Sequence, residues 1–208
     1  MHGKLAAKLD QRHWGLLSTI AAICLLAGNG YFAKGLVTDI LNLTLLRSII
    51  AAIVILFLVQ VSGQSIFLRS RRDYAISTLL GLLLGMHWLS FFYAMKISTV
   101  TLGMTALYAY PVITLLLERL FFKQKLRLSD GLIASLLILG VCLMGSYNQE
   151  GHVSNLLGVL LGIFSALCFA TRNLLQQRLF NHYPAHHSIF YQTLTIGLVL
   201  LPISLFQA

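Results

Sequence analysis

The chain has 208 residues, 58% of them apolar and only 10% charged, with a formal net charge of +9 and a mean hydropathy of +0.82. Soluble domains run about 45–50% apolar and about 25% charged, so a water-soluble globule, a disordered chain and a disulfide-stapled secreted fold are all excluded. Most of this chain has lipid as its solvent.

Seven charge-free windows mark the expected membrane helices. The first, His13–Ala33, follows Lys4, Lys8 and Arg12. It exceeds a signal-peptide core of about 7–15 residues and has no small-residue cleavage site, so it is expected to be retained. The second is Ser48–Leu68, the third Tyr74–Met95 and the fourth Ile97–Leu117. The fifth and sixth are Gly131–Gln149 and Gly151–Thr171. The last window, Leu179–Ala208, holds His182, Pro184, His186 and His187, so its helix is expected to start near Ser188. Each window is near or above the ~20 residues that cross a hydrocarbon core. Their continuous rather than alternating hydrophobicity fits helices and not barrel strands. The expected fold class is an all-α polytopic membrane protein.

The basic residues then orient the chain. With the N-terminus inside, the inner segments hold Lys4, Lys8, Arg12, Arg69, Arg71, Arg72, Arg119, Lys123, Lys125, Arg127, Arg172 and Arg178. The outer segments hold only Lys34, Arg47 and Lys96. Cytoplasmic loops collect Lys and Arg, so the expected location is the plasma (bacterial inner) membrane with a cytoplasmic N-terminus. This patterning also argues against a nucleic-acid partner. Cys24, Cys142 and Cys168 lie inside apolar runs at no metal-site spacing, so no disulfide, metal or cofactor is expected.

At an offset of 144, Ala22, Cys24, Asn29 and Lys34 fall on Ala166, Cys168, Asn173 and Arg178. Five spans separate the copies, so the second runs through the membrane the opposite way, as in inverted-repeat transporters. The expected organisation is a first five-helix repeat, 1–147, and a partial second repeat, 148–208. A complete second copy would reach roughly residue 290, about three helices further on.

The run Phe91-Phe92-Tyr93-Ala94-Met95-Lys96-Ile97-Ser98, then Ala109-Tyr110-Pro111, Leu117-Glu118-Arg119-Leu120, Gly131 and Gly140-Val141, resembles EamA-type permeases of the drug/metabolite transporter superfamily. Gly28-Asn29 to Lys34, and Arg47, are similar to that family's first two helices, with Ala27 where a Trp is usual. The resemblance implies ten helices in two inverted halves that export or exchange small metabolites.

Several residues could line a midplane cavity. Ser98, Thr101, Thr105 and Tyr108 follow 3-4-3 spacing, so they are expected on one helical face. Pro111 removes a backbone donor and is expected to break that helix beside Tyr108. His87 stands near the middle of its span, where an ionisable residue is a functional candidate and a route to proton coupling; the plainer role is a hydrogen bond to a neighbouring helix. Asn29 at membrane depth needs a partner or water. Lys34, Arg47 and Arg178 are expected at the mouths of the pathway, although snorkelling to the headgroups is the cheaper explanation for Lys34 and Arg47. Gly81 with Gly85, and Gly158 with Gly162, are spaced for close helix approach.

The reading is a secondary transporter for small solutes, moving them by alternating access. The alternative is a shortened, non-transporting membrane subunit that needs a partner, or a second copy of itself, to complete its bundle. No Ser–His–Asp or paired-carboxylate set lies within a span, so an enzyme is not expected.

Overall fold

The structure, a computed structural model, describes residues 39–123, 128–146 and 152–207, together with 15–17, 19–21 and 24, which are helical. Residues 1–37 form a unit of their own, and the second unit begins at Thr38. All regular structure among the described residues of the second unit is α-helix: α1 (Ile40–Val61), α2 (Arg71–Ile97), α3 (Val100–Leu107), α4 (Tyr110–Phe122), α5 (Leu128–Ser146), α6 (His152–Leu179) and α7 (Ala185–Gln207). Five stretches are long and apolar enough to cross a membrane: α1, α2, α3 with α4, residues 156–179 of α6, and α7. The chain is an all-α polytopic membrane protein.

Short polar residues set the helix ends. Asp39 opens α1, its Oδ1 accepting from Ile40 N at 2.8 Å. Ser70 caps α2 by accepting from Asp73 N at 3.2 Å, and its hydroxyl donates back to Asp73 Oδ2 at 2.9 Å. This reciprocal pair satisfies orphan groups of the first turn. Ser98 ends α2, its Oγ donating to Ala94 O at 2.6 Å. Thr99 then opens α3 by accepting from Leu102 N at 3.1 Å.

Four expected boundaries are corrected. The second span starts at Ile40, not Ser48, and ends at Val61, not Leu68. The sixth continues past Thr171 to Leu179. The last begins at Ala185 rather than Ser188. The early start of α1 and the late end of α6 share a cause: Arg47 and Arg172 interrupt hydropathy windows, but each helix continues because the arginine finds partners on a neighbouring helix.

The expected fourth span is two helices. Tyr108 N donates to Met104 O and Thr105 O at 3.1 Å, and Ala109 N to Ala106 O at 3.2 Å, closing α3. Pro111 sits in the first turn of α4, where its missing N–H is not needed.

Packing is inside-out relative to a soluble bundle. Leu46, Ile50, Ile53, Phe57, Leu136, Leu198 and Phe206 are exposed, whereas Thr44, Ser48, Ser77, His87, Ser165, Ser188, Gln192 and Thr193 are buried. Lipid tails solvate Leu as well as another Leu does, so contact favours small residues and interhelical hydrogen bonds. α2 packs chiefly against α6 and α7, α1 against α7, and both α3 and α4 against α6. The glycine pairs lie at these contacts: Gly81 and Gly85 face Thr195, Gln192 and Ile196 of α7, and Gly158 and Gly162 face Ser98 and Ala106.

Candidate functional site

The polar groups inside the bundle gather at two depths. The deeper group centres on His87, which is buried. Ser165 Oγ of α6 donates to the His87 carbonyl at 3.0 Å. That spends the hydroxyl proton, so the short contact of 2.7 Å between His87 Nδ1 and Ser165 Oγ runs from Nδ1–H to oxygen. The imidazole stacks on Phe169, with ring centroids 4.7 Å apart. Tyr110, at the start of α4, meets the same Phe169 ring edge to face, with centroids 5.1 Å apart. The α3–α4 break therefore lies alongside the His87–Ser165 pair.

Arg47 lies toward the opposite end of the span from the loops that follow α1 and α6. Its guanidinium sits 4.3 Å from the Trp88 ring centroid and 5.2 Å from that of Phe92. Sequence spacing places it at a pathway mouth; in the structure it is seven residues into α1, about 10 Å along the helix. Two aromatic faces hold the cation there, in place of snorkelling.

The second group lies nearer the surface where α6 and α7 join. Arg172 Nε and Nη2 donate to Gln192 Oε1 at 2.8 and 2.6 Å, and Nη1 donates to Asn173 Oδ1 at 2.8 Å. Gln192 Nε2 donates to Ser188 Oγ and, at 3.2 Å, to Gln176 Oε1. Asn173 and Gln176 are thus members of a side-chain network that links α6 and α7.

At that surface, the α1–α2 and α6–α7 loops are tied together. Tyr183 Oη donates to Asp73 Oδ2 at 2.8 Å and accepts from Arg69 N at 2.7 Å. Burial raises the Tyr183 phenol above its ordinary pKa; the Arg69 amide opposes this and the Asp73 carboxylate adds to it. His182 Nε2 stands 3.9 Å from Asp73 Oδ1. Among the described residues, no group of three His, Cys, Asp or Glu side chains is arranged to hold a metal ion.

The remaining candidates separate. Ser98 caps α2 and is not on α3, so it is not part of the expected stripe. Thr105 is buried, whereas Thr101 and Tyr108 are exposed, so the spacing of these residues does not give one shared face. Pro111 occupies the first turn after the break. Arg178 is exposed in the last turn of α6, where a cation suits the helix dipole. Asn29 and Lys34 lie outside the described residues. Arg172, Ser165 and Gln192 are the polar residues that sequence reasoning missed. Gln192 carried the signal that singled out Asn29, a carboxamide inside a span.

The EamA-like transporter family model matches residues 13–146. The chain is 24% identical over 203 residues to the uncharacterized transporter YxxF of Bacillus subtilis (strain 168), covering 95% of this chain and 64% of the relative. It is 31% identical over 169 residues to an uncharacterized transporter of Archaeoglobus fulgidus, covering 79% of this chain and 60% of the relative. The matches thus span less than two thirds of each relative's length. No solved structure matches. A family match over more than half of a chain that builds an inside-out helical bundle leaves one conclusion: the chain belongs to the EamA-like transporter family.

Proposed function

We propose that this chain carries small solutes across the plasma membrane by alternating access, as an exporter or exchanger, with its N-terminus in the cytoplasm. The pathway runs past the α3–α4 break and along the facing sides of α2 and α6. One observation carries the reading: the His87–Ser165 pair lies beside a broken helix inside a bundle whose outer surface is apolar. Broken helices at membrane depth expose backbone groups only where they line protein or water, and a buried ionisable group beside one is a functional candidate by default. The family membership supports the same reading.

The test is flux through proteoliposomes holding the full chain, with a panel of neutral, cationic and anionic metabolites. At least one class is expected to cross, and His87→Ala should reduce its flux at least tenfold. Absence of flux for the whole panel, or a His87→Ala variant that moves the same solute at the wild-type rate, overturns the proposal. Orientation has its own measurement. In a background without native cysteines, a membrane-impermeant thiol reagent applied outside cells should label a cysteine at Lys96 and spare one at Arg71. The reverse pattern would invert the topology.

A further inference from the structure

We infer that the solute carries a carboxylate and that Arg172 binds it, with Gln192 as the residue that positions the guanidinium. This rests on the transporter reading above and names its substrate class.

An arginine seven residues inside the end of a spanning helix is expensive in a bilayer and normally comes with a counter-charge. Arg172 forms no ion pair among the described residues. Four of the chain's six carboxylates, Asp39, Asp73, Glu118 and Asp130, are described, and all stand at or near helix ends. The hydrogen-bond partners of Arg172 are the neutral amides of Gln192 and Asn173. Hydrogen bonds are supplied, but none of the described carboxylates cancels the positive charge.

The support is built to hold the arginine still. Gln192 is 0% exposed, and its amide nitrogen is committed to Ser188 and Gln176. The amide therefore cannot turn over, which keeps its oxygen on Nε and Nη2. A guanidinium has five N–H donors, and three are used here. One N–H on each terminal nitrogen remains, and these two nitrogens match the spacing of carboxylate oxygens. Arg172 is partly exposed rather than fully buried. A monoanion neutralises one guanidinium, which favours a carboxylate over a phosphate dianion.

Arg47 strengthens the case from the other side. It too has no ion pair among the described residues, and aromatic faces hold it. Two cations without an ion pair among the described residues, about 10 Å in from opposite ends of the bundle, form an electrostatic path for an anion.

The test measures equilibrium binding to the full chain in lipid nanodiscs, with two acid and amide pairs as probes: phenylacetate with phenylacetamide, and butyrate with butyramide. At least one acid should bind at least tenfold tighter than its amide. Arg172→Gln should bring the acid's affinity down to that of the amide. Arg172→Lys, which keeps the charge and loses the fork, should retain part of the preference. Gln192→Leu should weaken the acid and leave the amide unchanged, a split that a merely structural role does not produce. Equal affinities within both pairs, a preference that survives Arg172→Gln, or binding of neither acid overturns the assignment. If Arg172→Gln does not fold, the wild-type comparison and Arg172→Lys still decide. The two readings fail separately: flux of a neutral solute with no acid preference removes the carboxylate assignment and keeps the transporter, and absence of all flux removes the transporter.

Discussion

Gly162→Ala should destabilise the bundle by about 1–2 kcal/mol net, while Gly140→Ala should be neutral or stabilising by up to about 1 kcal/mol. A Cβ at Gly162 would stand 2.5 Å from the Ala106 Cβ of α3. Alanine has no rotamer through which that neighbour could withdraw, so α3 and α6 must separate. Overpacking of this kind costs about 1–3 kcal/mol, which exceeds the helix-propensity gain of up to about 1 kcal/mol from replacing glycine. At Gly140 a Cβ meets nothing within 4 Å among the described residues, so only the propensity gain remains. Gly81 should behave like Gly162, because its Cβ would press on Thr195 and on the Gln192 backbone. Unfolding midpoints in mixed detergent micelles measure all three. A Gly162→Ala protein as stable as wild type would contradict the close approach of α3 and α6.

Gln192→Leu should lower stability by about 1.5–3 kcal/mol, the usual worth of hydrogen bonds to a charged group, and the double variant Arg172→Leu/Gln192→Leu should recover most of that loss. The single change removes the acceptor shared by Nε and Nη2 of Arg172 and leaves a guanidinium in the bundle with one amide partner. Removing one member of a buried polar pair is costly, whereas replacing both with apolar groups of similar size is often neutral or stabilising. The four proteins of this cycle, compared by the same unfolding measurement, isolate the interaction. If the double variant is less stable than the sum of the two single changes, the network stabilises the fold by some route other than pairing. The same double variant should bind neither acid more tightly than its amide, which separates the fold from the proposed function of the site.

The spans were legible because bilayer insertion is decided by hydropathy summed over about 20 residues, a property local in sequence. The glycine pairs were legible for a related reason, since i and i+4 share a helical face whatever they touch. Reading failed where a charge was taken to end a helix. Arg47 and Arg172 both interrupt apolar windows, and both lie inside helices because Trp88 and Phe92 hold one and Gln192 holds the other. Asp39 before Ile40 was a local capping signal that could have located the true start of α1. No comparable local signal pairs Arg172 with Gln192, which stands twenty residues later on another helix. The Ser98 to Tyr108 stripe failed because a periodicity argument assumes one continuous helix, and Ser98 and Thr99 end one and begin the next.

Sequence by itself therefore determined that the chain is a membrane-spanning helical protein, where its described helices lie to within about two turns, and that one of them breaks near Pro111. Each follows from neighbours in the chain and the solvent around them. Only the tertiary structure decided which polar side chains meet: His87 with Ser165, Arg172 with Gln192, Tyr183 with Asp73. Which polar groups meet across helices depends on how the helices rotate and cross, which no single helix specifies.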